Sequence, residues 1–242
     1  MPENKIATPI PAATLILVRG DSGPLEVYLT RRNQNLKFLG GFYVFTGGKR
    51  DHDDISAASL ERMKAADLGK KARAVEGAEP EAQKLGFYAA AIREAFEEAG
   101  ILIACDQTGA QIRPDEKLKS ALGNFRGLLH ARKIGFLSIL TELNLYYDLE
   151  ALSWFAHWVT PKTSPRRFDT QFFIAESPSS QSPEPHSEEI DDALWIGPSE
   201  ALEAWKQGKL KMIPPTLASL DRLSRFTSLA ELAQKLKNPG RA

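Results

Sequence analysis

Arg93-Glu94-Ala-Phe-Glu97-Glu98 places a guanidinium and three carboxylates within six residues. On an α-helix Glu97 and Glu98 both fall within about 60° of Glu94, so the three acids share one face. Like charges at this spacing destabilise a helix by roughly 0.2–0.5 kcal/mol per pair. They also precede Gly100 by one turn, where the helix dipole disfavours negative charge. A helix built only for stability would carry lysine there. Two readings remain: a solvated acidic face, or a cradle for a hard divalent cation. Mg²⁺ in particular takes one or two carboxylates together with substrate phosphates. Leu85, Tyr88, Ala89, Ile92, Ala95, Phe96 and Ala99 line the other side of the same wheel and predict its core face. Ala90 and Ala91 flank the acids, and their small size is expected to leave room for a substrate.

The elements that must position this helix can be read on either side of it. Ala12–Val18 is a short apolar run and Glu26–Thr30 alternates, with an Asp21-Ser-Gly-Pro24 turn between them, which predicts an antiparallel strand pair. Phe42–Phe45 reads as a third strand, stopped by Gly47-Gly48. Residues 51–80, rich in Ala, Lys, Asp and Glu, read as an insertion over the surface with a helical patch near Ile55–Leu68. Pro80 and Gly100 bracket the carboxylate helix, at the first turn and just past the end. Downstream, Ile101–Cys105 resembles a strand, and Pro114–Leu129 and Phe136–Leu143 resemble helices. Trp154–Thr160 and Gln171–Ala175 form a strand pair, and Ser177–His186 is a Ser/Pro-rich loop. Ala193–Ile196 is a last strand. Pro198–Gln207 and Pro215–Phe226 are helices entered through proline, and Ser228-x-x-Glu231 caps a final one. Strands and helices mix without βαβ regularity, which predicts an α+β fold.

Composition narrows the function classes. A chain of 242 residues with 43% hydrophobic and 26% charged residues suits one packed domain spanning 1–242. The 31 basic and 31 acidic residues cancel, so no overall positive field recruits nucleic acid. Locally, 176–203 holds only acids among its charged residues while 206–242 is basic, which suits either balanced solvated faces or an acidic loop facing a basic wall. One cysteine, Cys105, excludes an internal disulfide framework and a Cys-rich zinc site. No apolar run approaches the roughly 20 residues that cross a bilayer. The opening MPENKIATP lacks the pattern of a secretory leader, and the closing NPGRA carries no peroxisomal address. A cytoplasmic protein without membrane contact is the expectation.

Arg93-Glu94-Ala-Phe-Glu97-Glu98-Ala-Gly100-Ile101 resembles the second half of the Nudix box, G-x5-E-x7-R-E-U-x-E-E-x-G-U with U aliphatic, and Phe45-Thr-Gly47-Gly48 resembles its opening. The stretch from Gly48 to Arg93 is about 31 residues longer than in an uninterrupted box, so the box is split by 51–84. Leu85 stands where the box has its first Glu. The interruption, with Trp158-Val-Thr-Pro161, Arg166-Arg-Phe-Asp-Thr-Gln-Phe-Phe173, Leu194–Leu202 and Pro214-Pro215 in the same order, is similar to the acyl-coenzyme A diphosphatase subgroup of Nudix hydrolases, known as Nudix motif 19.

That resemblance implies a Nudix-type α/β/α sandwich with a mixed central sheet, a helical insertion at 51–84 and a C-terminal helix and tail at 228–242. It implies Mg²⁺- or Mn²⁺-assisted attack of water on a phosphoanhydride. Glu94, Glu97 and Glu98 would hold the metal with a backbone carbonyl near Gly47/Gly48, and Arg93 would orient a ligand carboxylate. Asp53 or Asp54 would stand in for the missing box Glu. The general base is expected in the loop before the last strand, at Glu188 or Glu189. Arg31, Arg32 and Lys37 partly match the additional motif of coenzyme A-cleaving members, and Arg166 and Arg167 are further candidates for substrate phosphates. The implied substrate is a small nucleotide diphosphate: coenzyme A or acyl-coenzyme A, giving 3′,5′-ADP and (acyl-)phosphopantetheine. ADP-ribose, NADH or a nucleotide sugar is the alternative, and a catalytically weak nucleotide-binding scaffold another. Nucleic acid is not an expected partner, and a homodimer is the expected assembly.

Overall fold

The computed structural model describes residues 6–20, 23–185 and 189–237. Its centre is a mixed sheet. Strand β1 (Ile10–Arg19) runs antiparallel to β2 (Glu26–Arg32) only at Val18 and Arg19, where the hairpin closes. The two strands then diverge, and β3 (Tyr43–Val44) adds to β2 while β4 (Thr46–Lys49) adds to β1. On its other side β1 lies parallel to β9 (Phe168–Glu176), from Ile10↔Phe168 to Val18↔Glu176. β8 (Ser153–Val159) closes that edge and β10 (Ile190–Ile196) the edge beyond β2. Thus the glycine pair does not stop a strand; it lies inside β4. The register opposes Gly47 to Thr14 and Gly48 to Ala13, and a Cβ on Gly47 would stand 2.6 Å from the Ala13 carbonyl.

Alternation along β1 divides the core. Ala13, Leu15 and Leu17 face α3 (Glu81–Ala99) together with Tyr88, Ile92 and Phe96. Ile16 and Val18 face the other layer, where α6 (Pro198–Lys206), α7 (Pro214–Leu223) and α8 (Leu229–Lys237) supply Ala201, Leu220, Leu223 and Leu232. Helices on both faces of a mixed sheet make the predicted α/β/α sandwich. The final helix starts as its motif requires, with the Glu231 amide donating to Ser228 Oγ at 3.2 Å. Among the described residues no helix is long and apolar enough to cross a membrane.

The interruption at 51–84 is not a surface arm. A 3₁₀ turn at Asp53–Ile55 leads into α1 (Ala57–Glu61), β5 (Met63–Lys64) and α2 (Leu68–Ala74). Downstream come β6 (Ala104–Cys105), α4 (Glu116–His130), α5 (Phe136–Glu142) and β7 (Tyr146–Asp148). β5 and β6 flank β7 in a second, three-stranded sheet. Met63, Ala72 and Val75 are buried in the α3-side core. The predicted helical patch at Ile55–Leu68 is therefore broken, because residues 63–64 pair with 147–148. Only the last two residues of the strand expected at Ile101–Cys105 pair.

Covered by the sheet and the insertion, α3 is buried on almost every side. Ala90 and Ala91 are fully buried, so their small side chains let the helix approach the sheet and do not open space for a substrate. Phe87 is packed as well, beneath the Arg50 guanidinium, 4.4 Å from the ring centroid. Leu17, 1% exposed on the α3 side of β1, reports on this layer. Leu17→Ala is expected to lower stability by about 2–5 kcal/mol, seen as a lower urea midpoint with an unchanged slope.

Candidate active site

Two of the three glutamates at the end of α3, Glu94 and Glu97, converge on Arg93. The Arg93 guanidinium is 7% exposed. Its Nε donates to Asp54 Oδ1 at 3.1 Å and its Nη2 to Asp54 Oδ2 at 2.9 Å, a bidentate pair. Nη1 donates to Glu94 at 2.7 Å and to Glu97 at 3.3 Å, and Nη2 also reaches the Lys49 carbonyl at 2.7 Å. Asp54 is itself fixed by the Asp51 amide at 2.8 Å. Of the two aspartates proposed to replace the missing box Glu, Asp54 lies on Arg93, while Asp53 is exposed. The interruption thus supplies the carboxylate that its own presence removed from the box.

Glu98 points elsewhere. It accepts the Gly47 amide at 3.0 Å and is 6% exposed. The glycine pair is required here for close approach: a Cβ on Gly48 would overlap the Glu94 carboxylate. Arg126 of α4 donates twice to the Glu97 carbonyl, from Nε at 3.0 Å and Nη2 at 2.8 Å. It thereby satisfies a carbonyl that the helix end leaves without an intrahelical partner. Nothing in the amphipathic pattern of 116–130 singled Arg126 out; only the packing of α4 against the end of α3 does.

Burial dominates the protonation of this cluster. It pushes Glu94 up to about 7, against the opposing pull of Arg93 and with the help of Glu97. It raises Glu97 too, again opposed by Arg93. Glu98 is raised furthest, by burial and then by Glu94, against the Gly47 amide. For Arg93, burial alone would lower the pKa, but Asp54, Glu94 and Glu97 hold it above its ordinary value. Carboxylate and backbone carbonyl oxygens are the donor type that a hard divalent cation takes. Among the described residues, however, no three acidic, His or Cys side chains are grouped so as to hold a metal ion.

A cavity of about 880 Å³ opens over these groups, lined by Asp51, Asp54, Arg93, Glu94 and Glu97, and by Lys49, Arg132, Lys133 and Glu189 from other segments. Glu189 and Arg32 both bear electrostatically on Glu98, and Glu189 is anchored through its carbonyl by the Asn33 amide at 2.8 Å. Glu188 lies outside the described residues. None of the five basic residues expected to bind substrate (Arg31, Arg32, Lys37, Arg166 and Arg167) lines this cavity. Arg31 lies over the Tyr43 ring, and Arg166 lies between the rings of Phe38 and Phe168. Lys37 sits in the turn after β2. Arg167 donates to the Thr160 and Ala7 carbonyls at 2.9 and 2.8 Å, tying the start of β9 to the chain before β1. Lys49, Arg132 and Lys133 are cavity cations that the sequence did not single out.

The family described as the NUDT19 Nudix domain matches residues 7–223. The acyl-coenzyme A diphosphatase NUDT19 of Gallus gallus is 31% identical over 91% of this chain and 69% of its own length. That of Homo sapiens is 28% identical over 91% and 70%, and that of Xenopus laevis 26% over 91% and 65%. The chain therefore spans about two thirds of the length of these curated relatives. Among solved structures, a NUDIX hydrolase from Alicyclobacillus acidocaldarius superposes with a TM-score of 0.75 at 27% identity, covering 96% of this chain and 97% of that one.

Two outcomes follow from the cluster. Asp54→Ala leaves a buried guanidinium short of its bidentate partner and should cost about 3–5 kcal/mol; Asp53→Ala should stay within about 0.5 kcal/mol. Chemical denaturation of the pair checks this. The second concerns pH. A carboxyl whose folded pKa is raised stabilises the fold when protonated, fully below its unfolded value. That contribution is lost as pH rises from 4.5 to about 7 for Glu94. In a chelator, Glu94→Gln should therefore gain thermal stability relative to the parent chain across that window. A melting difference flat between those pH values would contradict the assignment.

Proposed function

Because the chain belongs to the Nudix hydrolases, within the NUDT19 Nudix domain family, we propose that it is a divalent-cation-dependent diphosphatase acting on coenzyme A or acyl-coenzyme A. Members of this superfamily generally use divalent metals. The observation that carries the reading is the bidentate Arg93–Asp54 pair: the interrupted box keeps a fully supported arginine on two of its glutamates, Glu94 and Glu97. The names of the relatives support the acyl-coenzyme A substrate, cleaved to 3′,5′-ADP and (acyl-)phosphopantetheine. A cavity of about 880 Å³ falls in the range that holds ligands of this class.

Glu94, Glu97 and Glu98 would hold Mg²⁺ or Mn²⁺, with a carbonyl of the Gly47–Gly48 pair. The ion would neutralise charge developing on the phosphates and acidify a water. The chain's own residues set the conditions. Asp54 and the Lys49 carbonyl lock Arg93, and Arg93 holds Glu94 and Glu97 at one end of α3. The Gly47 amide fixes one oxygen of Glu98 and leaves the other uncommitted. Arg126 keeps the last turn wound through the Glu97 carbonyl. Glu189, on the cavity wall and close enough to act on Glu98, is the proton acceptor we assign among the described residues. Since the three glutamates resist ionisation, cation binding must displace protons, and affinity should rise with pH.

Product analysis by mass spectrometry tests the reading. The chain is incubated with Mg²⁺ or Mn²⁺ and coenzyme A, acyl-coenzyme A, ADP-ribose or NADH in parallel. The expected outcome is 3′,5′-ADP from the coenzyme A substrates, with a loss of at least about 100-fold in Glu97→Gln/Glu98→Gln. AMP from ADP-ribose or NADH alone would keep the chemistry and overturn the substrate.

A further inference from the structure

Among the described residues, four helices end on left-handed backbone: α3 at Gly100 (φ 69°), α4 at Arg132 (φ 55°), α5 at Asn144 (φ 52°) and α6 at Gly208 (φ 73°). Glycine adopts this conformation without steric cost and asparagine tolerates it; the Cβ of any larger residue crowds the following carbonyl. The end of α4 has the paired bonds of a Schellman turn. The Arg132 amide donates to the Leu129 carbonyl and the Lys133 amide to the Leu128 carbonyl, both at 2.9 Å. Arginine thus occupies the one position of that turn where glycine is the usual residue.

The side chains explain why such a position would be kept. Arg132 and Lys133 line the cavity that contains Glu94 and Glu97. Both are exposed, and among the described residues neither makes an ion pair or side-chain hydrogen bond. Arg93, in contrast, is fully committed to Asp54, Glu94, Glu97 and Lys49. Strained backbone persists where the side chain it carries does something the fold does not need.

Resting on the diphosphatase reading above, we propose that the Arg132–Lys133 turn binds a phosphate of the substrate outside the scissile linkage, the chemistry offered by the 3′-phosphate of coenzyme A. The carboxylates would repel a phosphate that no cation neutralises, so under the reading above the cation they would hold serves the diphosphate alone. A second anion needs donors on another part of the wall. The guanidinium supplies a planar fork matched to phosphate oxygens and the neighbouring ammonium a point charge.

The test uses 3′,5′-ADP and 5′-AMP, which contain no diphosphate linkage to cleave and differ by the phosphate in question. Calorimetric titration of the whole chain should show 3′,5′-ADP binding about 10- to 100-fold tighter than 5′-AMP. Arg132→Gly and Arg132→Asn should bring the two ligands to within about three-fold, and Lys133→Ser should narrow the gap in part. Arg132→Gly relieves the turn, so it should melt no lower than the parent chain. In turnover, it should raise KM for coenzyme A and leave KM for dephospho-coenzyme A nearly unchanged. Equal binding of the two nucleotides by the parent chain, or a preference that survives in both Arg132 variants, would overturn the proposal. A preference that disappears in the variants, from a chain that hydrolyses neither thioester nor free coenzyme A, would uphold this site and overturn the diphosphatase reading instead.

Discussion

One buried guanidinium holds the site together. Arg93 accepts no alternative: five donors in a rigid plane, shut away from water, must each meet an oxygen. Asp54 comes from the segment that splits the box, the Lys49 carbonyl from the glycine strand, and Glu94 and Glu97 from the helix itself. Three parts of the chain are thereby fixed relative to one another by a single side chain. The insertion is consequently part of the framework around Arg93. Asp54 is seated by the Asp51 amide, and the Ser59 hydroxyl donates to the Asp53 carbonyl at 2.6 Å, so the turn that presents Asp54 is held from both ends.

The glutamates carry the complementary constraint. Burial makes each of them reluctant to ionise, and the helix end offers no compensating dipole. Three acids grouped at one helix end favour protonation or a nearby positive charge. Arg93 answers part of this demand, at Glu94 and Glu97, and a single backbone amide answers for Glu98.

Much of this could be read along the chain. Pro80 and Gly100 mark α3 to within a residue, since a helix start and a left-handed end have their own residue types. The glycine pair and the Arg/Glu spacing marked the site. The α/β/α layering followed from the resemblance, and the strand pair at 153–176 from its own pattern. The interior of 51–84 was not legible in the same way. A two-residue strand such as Met63–Lys64 has no periodicity of its own and exists only because Tyr147 and Asp148 lie beside it. Nor could the cavity's cations be found by nearness to a motif. Arg31 lies in β2 yet over Tyr43, and Arg167 belongs to two carbonyls, whereas Arg132 and Lys133 arrive from a distant helix end.

The parallel seam between β1 and β9 has a consequence for how the chain acquires its structure. Its partners are 158 residues apart (168 − 10), and every pair from Ile10 to Val18 shares that separation. β1 therefore waits for a strand made 158 residues later. Until Phe168–Glu176 emerges, β1 has only the short contact with β2 and the glycine strand β4 beside it, and its apolar edge is open to other chains. The central layer thus closes late, over a long loop whose entropy must be offset by the seam it forms.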